Sequence, residues 1–277
     1  MAAEGARPAN EELARACGLR LLDLSGIYER GVVRYEAGHE TLAIAGLVAR
    51  QRRLLRAAYL LADSDQRLEA SIMLRAMLEF LIRQKWLELS PGLHYVLWAI
   101  DDLNARLRID REIREQDPGA HEGAIEIMQP EIRDQYEREL ARMRAEFEQL
   151  QERLGLDRAP RYPNLREQAT AVGLGFSYSL AYRFDSQSAA HPSAMAIEQL
   201  FEDRPDLGGI RLLPEPPPER GYADPYGVGA FILRDALASA AALVPELQLA
   251  GFDEVAAQLD ELHPQVDEQA APPDPHG

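Results

Sequence analysis

The sequence predicts an all-α fold, an antiparallel helical bundle with one long coiled-coil-like arm at about 130–154. Apolar residues recur three and four apart along most of the 277 residues. No run alternates apolar and polar residues for long enough to read as a strand. Residues 130–154 carry a narrow apolar seam flanked by charge. A composition of 46% hydrophobic and 27% charged residues is that of a globular chain long enough to bury a large core.

Taken in order, residues 10–24 form a short helix and 40–62 a long one. "DSDQ" (63–66) breaks the chain, with Ser64 or Asp65 as N-cap of the next helix. That helix spans 66–89 and stops at "SPG". Another covers 91–115, with Pro91 in its first turn, where a missing N–H is harmless. In 130–154, Ile132, Tyr136, Leu140, Met143, Phe147, Leu150 and Leu154 step by four and three, and Gly155 suits the helix end. The seam fits one arm of an intrachain antiparallel hairpin, with a homodimer through 130–154 as the alternative. Helices at 164–173 and 176–190 follow, and Pro192 ends the second by disfavouring α conformation at His191. A short helix at 193–202 leads into a Pro- and Gly-rich loop at 203–225. Helices at 226–244 and 252–262 complete a single all-helical domain, 1–262, and 263–277 form a disordered tail.

The net charge of −16 disfavours a nonspecific grip on nucleic-acid phosphates or anionic lipid, while leaving room for a local basic patch. Cys17 is the single cysteine, which excludes an intrachain disulfide and a cysteine-based zinc site. The N-terminal residues lack the charged-then-apolar pattern of a signal peptide. The most apolar stretch, "GVGAFILRDALASAAALVPELQL", is interrupted by Arg234 and Asp235, so no membrane span is expected. These features predict a cytoplasmic protein. Lys85 is the single lysine, a bias that suits a GC-rich bacterial genome.

The helix at 66–89 is apolar almost all round, as a central bundle helix is. At 100° per residue, Arg75 and Glu79 fall amid Leu68, Ile72, Ile82 and Trp86, so burial or a cavity wall is expected for both. They stand four apart, within contact. Buried charge needs a partner. One reading is a mutual ion pair that fixes helix register. The other is a polar pocket in which Arg75 holds a small anionic ligand through its planar fork and Glu79 orients a neighbour or acts as base. In 176–190, Tyr178, Tyr182 and Asp185 share a side, Ser179, Arg183 and Ser186 the adjacent one, and Phe176, Leu180 and Phe184 an apolar one. His191 lies just past the last turn, where it either caps its own helix or joins a polar cluster.

"LRAMLEFLIRQKWL" (74–87) together with "YRFDSQSAAHPS" (182–193) resembles an uncharacterised bacterial helical family, the domain of unknown function 5677. The matching positions are Arg75, Glu79, Tyr182, Arg183, Ser188 and His191, with Ser186 as the other candidate for the serine. The resemblance covers about 40–200 and implies an all-helical domain with a polar site and no assigned reaction. A weaker similarity is to HEPN-type helical bundles, which include metal-independent ribonucleases of stress and phage-defence systems. That similarity implies Arg183 as phosphate holder and His191 as acid or base, although seven residues separate the two here.

No GxxxxGK[ST], GxGxxG or HExxH motif is present. Glu36 and His39 have Glu-x-x-His spacing, and Asp260 and His263 stand near the end. A di-iron bundle needs two full motifs and two further glutamates, so no metal and no cofactor are expected. Asp101 and Asp102 read as solvated surface acids, and His94 and His121 as structural or exposed. The favoured reading is a binding or interaction module with a buried pocket of Arg75, Glu79, Tyr182, Ser186 and Ser188. A HEPN-like ribonuclease or nucleotide-transfer enzyme using Arg183 and His191 is the alternative, and a purely structural role for all these residues is the third.

Overall fold

The computed structural model describes residues 6–30, 39–116, 130–158, 160–185, 201–204, 209–212, 224–243 and 249–262. In order these hold α1 (Ala6–Leu24), α2 (Ile27–Arg30), α3 (His39–Asp63), α4 (Arg67–Leu89), α5 (Pro91–Gln116), α6 (Pro130–Leu154), α7 (Leu165–Ala171), α8 (Gly175–Asp185), β1 (Phe201–Arg204), β2 (Gly209–Leu212), α9 (Pro225–Leu243) and α10 (Phe252–Leu262). The all-α class is as expected. Two readings of the 193–225 stretch need correction. Residues 201–202 begin β1 instead of ending a helix, and the loop expected at 203–225 contains an antiparallel pairing of β1 with β2, Phe201 opposite Leu212 and Glu202 opposite Arg211. Strands of four residues leave too short an alternation to read. The tail at 263–277 lies outside the described residues.

Two compact units are present, Met1–Lys85 with Ala169–Gly277, and Trp86–Gln168. In the first, α9 packs on both α1 and α3, and α10 packs on α1. The core is drawn from Leu21, Ile44, Leu55, Met77, Leu81, Leu233, Leu237 and Leu259, all fully buried. Helices approach closely at two glycines. A methyl at Gly18 would overlap the Tyr59 hydroxyl, and one at Gly229 would overlap Leu55 and stand 3.1 Å from Leu74. Among the described residues α9 alone has the length and composition to cross a membrane, and 56% of it is buried inside the fold, as in a core helix.

In the second unit α5 and α6 form a hairpin. Arg144 meets Asn104 at 3.3 Å and Arg106 meets Tyr136 at 3.4 Å, so the helices run antiparallel. Leu140, Met143 and Leu150 of the expected seam are buried with Val96 and Leu103, and Tyr136 and Phe147 pack beside them. The intrachain hairpin therefore occupies the seam, and the dimer alternative loses its apolar face to α5. Leu154, the last seam residue, is 49% exposed beyond that contact.

Chain reversals follow backbone chemistry. At the end of α6, Leu156 N–H reaches Gln151 O and Gly155 N–H reaches Glu152 O, with Gly155 at φ 63°. This is a Schellman turn, and the glycine takes the left-handed position as expected. The same pattern ends α3, where Gln66 N–H bonds Leu61 O and Asp65 N–H bonds Ala62 O. Asp65 itself is left-handed at φ 59°. Neither Ser64 nor Asp65 is thus an N-cap for α4; both complete the end of α3, and Ser64 Oγ donates back to Leu60 O at 2.9 Å. α7 opens with a reciprocal capping box between Asn164 and Glu167, at 2.8 and 3.0 Å. Asp224 caps α9 by accepting from the N–H groups of Tyr226 and Gly227, with Pro225 in the first helical position.

His94, expected to be structural or exposed, is a fixed part of the α4–α5 turn. Its ring stacks on Trp86 at 3.9 Å and 4°, and its Nδ1 lies 2.6 Å from Trp86 O. A carbonyl only accepts, so Nδ1 carries a proton. Burial pulls the His94 pKa below the ordinary imidazole range, partly opposed by this hydrogen bond.

Two predictions follow from these turns. Asp65→Gly removes the left-handed penalty of a residue with a Cβ and should raise stability by about 0.5–1 kcal/mol, read as a higher melting temperature. The folded chain favours the neutral form of His94. Its contribution is therefore complete above about pH 6.5 and lost as pH falls through its lowered pKa. Melting temperature should drop on acidification across that range, and His94→Gln should flatten the drop.

Candidate functional site

The buried stripe of α4 is Ala70, Leu74, Met77, Leu81 and Gln84, spaced four and three. At 100° per residue Glu79 stands opposite this stripe, and Arg75 lies between Glu79 and one of its edges. Ser71 and Ile82, on the Arg75 side, are buried. Arg75 Nε donates to Glu79 Oε1 at 3.2 Å, and the two side chains are 14% and 37% exposed. The expected contact is present. Neither is fully buried: Arg75 is largely covered, and the core side of α4 turns Glu79 outward. The result is a largely covered guanidinium whose plane is held by a carboxylate that reaches solvent.

The second half of the expected pocket is only partly described. Tyr182 and Arg183 lie in the last turn of α8, and their side chains are outside the described residues, as are Ser186, Ser188 and His191. The apolar side expected for this helix is open to solvent where it is described: Phe176 is 80% exposed, and Leu180 is also exposed. A Schellman turn fixes the start of α8, with Leu174 N–H on Ala169 O and Gly173 N–H on Thr170 O.

Sequence reasoning missed two polar clusters in the first unit. Gln51 of α3 donates through Nε2 to Gln84 Oε1 at 3.0 Å. Gln84 Nε2 in turn donates to Ala236 O at 2.6 Å and to Ser239 Oγ at 2.8 Å on α9. All three side chains are buried. The available signal was a glutamine set within each apolar stripe. The second cluster joins α1, α3 and α9. Arg15 forks onto Asp63 at 3.1 and 2.7 Å, the Tyr226 hydroxyl donates to Asp63 Oδ1 at 2.7 Å, and the Tyr59 hydroxyl donates to Tyr226 O at 3.0 Å. Arg15 and Tyr226 together hold the Asp63 pKa low. Burial, with Asp63 beside it, pushes Tyr226 up to about 12. Each group in this cluster is matched to a partner, as structural networks are.

Cys17 lines a groove of about 310 Å³ between α1 and α10 with Leu13, Val255 and Gln258. Its Sγ is 3.8 Å from Gln258 Oε1. Burial raises its pKa and holds it as an unreactive thiol. No group of three His, Cys, Asp or Glu side chains is placed for a metal among the described residues. Asp102 pairs with Arg106 at 2.7 Å on the surface of α5.

The two polar pairs on α4 should respond oppositely to apolar replacement. Gln84→Leu strands the Gln51 amide and Ser239 in the core and should cost about 1–3 kcal/mol. The Arg75→Met/Glu79→Leu double substitution removes a partly solvated pair and should change stability by less than about 1 kcal/mol. Chemical denaturation of both variants checks the contrast.

No curated protein and no solved structure matches this chain significantly. A family model described as "Family of unknown function (DUF5677)" matches residues 41–209, more than half of the chain, from the first turn of α3 to the start of β2. The chain belongs to this family of unknown function.

Proposed function

We propose that this protein is a non-catalytic binding module that takes a small anionic ligand at the Arg75–Glu79 face of α4. The observation that carries the reading is the placement of the pair. Arg75 is 14% exposed, and Glu79, 3.2 Å away, reaches solvent. A guanidinium held in plane at the edge of a covered face suits a carboxylate or phosphate, which two parallel N–H groups recognise. The core amides Gln51 and Gln84 and the Ser239 hydroxyl hydrogen-bond one another without involving the pair. Tyr182, Ser186 and Ser188 are the residues we assign to the rest of the pocket.

Calorimetric titration with inorganic phosphate, pyrophosphate and citrate tests the proposal. At least one should bind, and Arg75→Lys, which keeps the charge and loses the fork, should weaken it at least about tenfold without changing the melting temperature. Absence of binding, or an unaffected Arg75→Lys variant, overturns the reading. RNA cleavage by the wild type that vanishes in a folded His191→Ala variant would establish the ribonuclease alternative instead.

A further inference from the structure

The groove between α1 and α10, on the first unit, joins an apolar floor to charges of both signs. Its volume of about 310 Å³ lies at the lower end of the range for small-molecule sites. α1 presents Leu13, Ala16, Cys17 and Arg20 on one helix face, and α10 presents Glu254, Val255 and Gln258. Cys17 and Val255 are buried and form the floor. Arg20, Glu254 and Gln258 are exposed and form the rim, and Leu13 is 43% exposed. Among the described residues neither Arg20 nor Glu254 has a hydrogen-bond or ion-pair partner. Arg15, Arg67 and Arg234 of the same unit each meet a carboxylate.

The helix directions set where the two charges stand. α1 runs against α3, since Arg15 meets Asp63 and Leu22 meets Arg52. α9 also runs against α3, since Tyr226 meets Tyr59 and Gly229 stands against Leu55. α10 returns along α9, with Asp260 beside Arg234. α10 therefore runs against α1, and Cys17 meets Gln258 midway. Arg20, one turn after Cys17, and Glu254, one turn before Gln258, stand together at one end of the groove. Leu13 marks the other end, about 10 Å from Arg20 at 1.5 Å per residue. A molecule with an anion and a cation on one carbon, and an apolar chain beside them, matches this layout. We infer that the groove binds a free α-amino acid with an apolar side chain. Its carboxylate takes two parallel N–H groups of Arg20. Its ammonium meets Glu254, which lies in the first turn of α10, where the helix favours a negative charge. Its side chain covers Cys17 and Val255 and points towards Leu13. A direct Arg20–Glu254 pair would compete, but an exposed pair is weak and is displaced at small cost. A peptide end or a fatty acid brings one of the two charges and leaves the other unmatched.

Calorimetric titration of the full chain with L-leucine, L-methionine and glycine tests the inference, beside N-acetyl-L-methionine and L-methionine methyl ester. Leucine or methionine should bind, and glycine, which leaves the apolar floor uncovered, should bind at least about tenfold more weakly. The N-acetyl compound lacks the ammonium and the ester lacks the carboxylate, so each should also lose at least about tenfold. Arg20→Gln and Glu254→Gln change exposed side chains and should keep the melting temperature of the free protein. Arg20→Gln should bind methionine no better than its ester, and Glu254→Gln should bind it no better than the N-acetyl compound. No binding of leucine or methionine at about 10 mM overturns the inference. So does glycine that binds as tightly as leucine, or either folded variant binding methionine as the wild type does. None of these variants touches Arg75 or Glu79, so the outcome is independent of the phosphate titration that tests that pair.

Discussion

Three helices from distant parts of the sequence meet around one chain of side-chain hydrogen bonds. Gln51 reaches Gln84, and Gln84 reaches both the backbone of Ala236 and the hydroxyl of Ser239. Apolar packing alone would let α3, α4 and α9 slide by a turn with little change in buried area. A buried amide with named partners does not allow this, because a shifted register would leave its donors unsatisfied in a medium that penalises them. The close approaches at Gly18 and Gly229 work in the same direction, since each admits a neighbour at one depth only. Hydrogen bonding and small residues thus select one arrangement from the many that hydrophobic burial would tolerate.

Arginine shows how placement decides the use of a charge. Arg52 is almost wholly buried, and its Nη1 donates to Leu22 O and, at 2.5 Å, to Ser25 Oγ, supplying donors to the end of α1. Arg234, from the middle of an apolar helix, forks onto Asp235 and also reaches Asp260 of α10. Arg75 is held by a neighbour on its own helix at the edge of covered surface. The first two are explained by the helices they join. Arg75 is explained only in part by α4, and that difference in physical context is why it draws attention.

Much of this was legible from periodicity. The bounds of α3 to α6 and of α9 and α10 fall within a residue or so of the spacing-based reading, because each has a long apolar stripe and a marked end. The Arg75–Glu79 contact was legible for the same reason, since four residues on a helix set the distance. What periodicity could not supply was depth. Both charges sit amid apolar neighbours on a wheel, but the wheel does not say which side meets α9, and so Glu79 was placed inside. The β1–β2 ribbon is too short to show alternation, and the left-handed Asp65 carries a residue type that reads equally well as a cap. His94 found its partners through a tight turn that brings Trp86 beneath it, a contact that no helical period encodes.

The family match ends before α9, yet α9 is what covers α3. Residues 41–209 taken alone would leave Leu55 without the α9 surface it meets at Gly229 and the amide of Gln84 without its Ala236 and Ser239 partners. The boundary drawn by sequence similarity is therefore not the boundary of a self-sufficient folding unit. In this chain a helix outside the matched region supplies both the small residue that admits Leu55 and the backbone carbonyl that meets the glutamine.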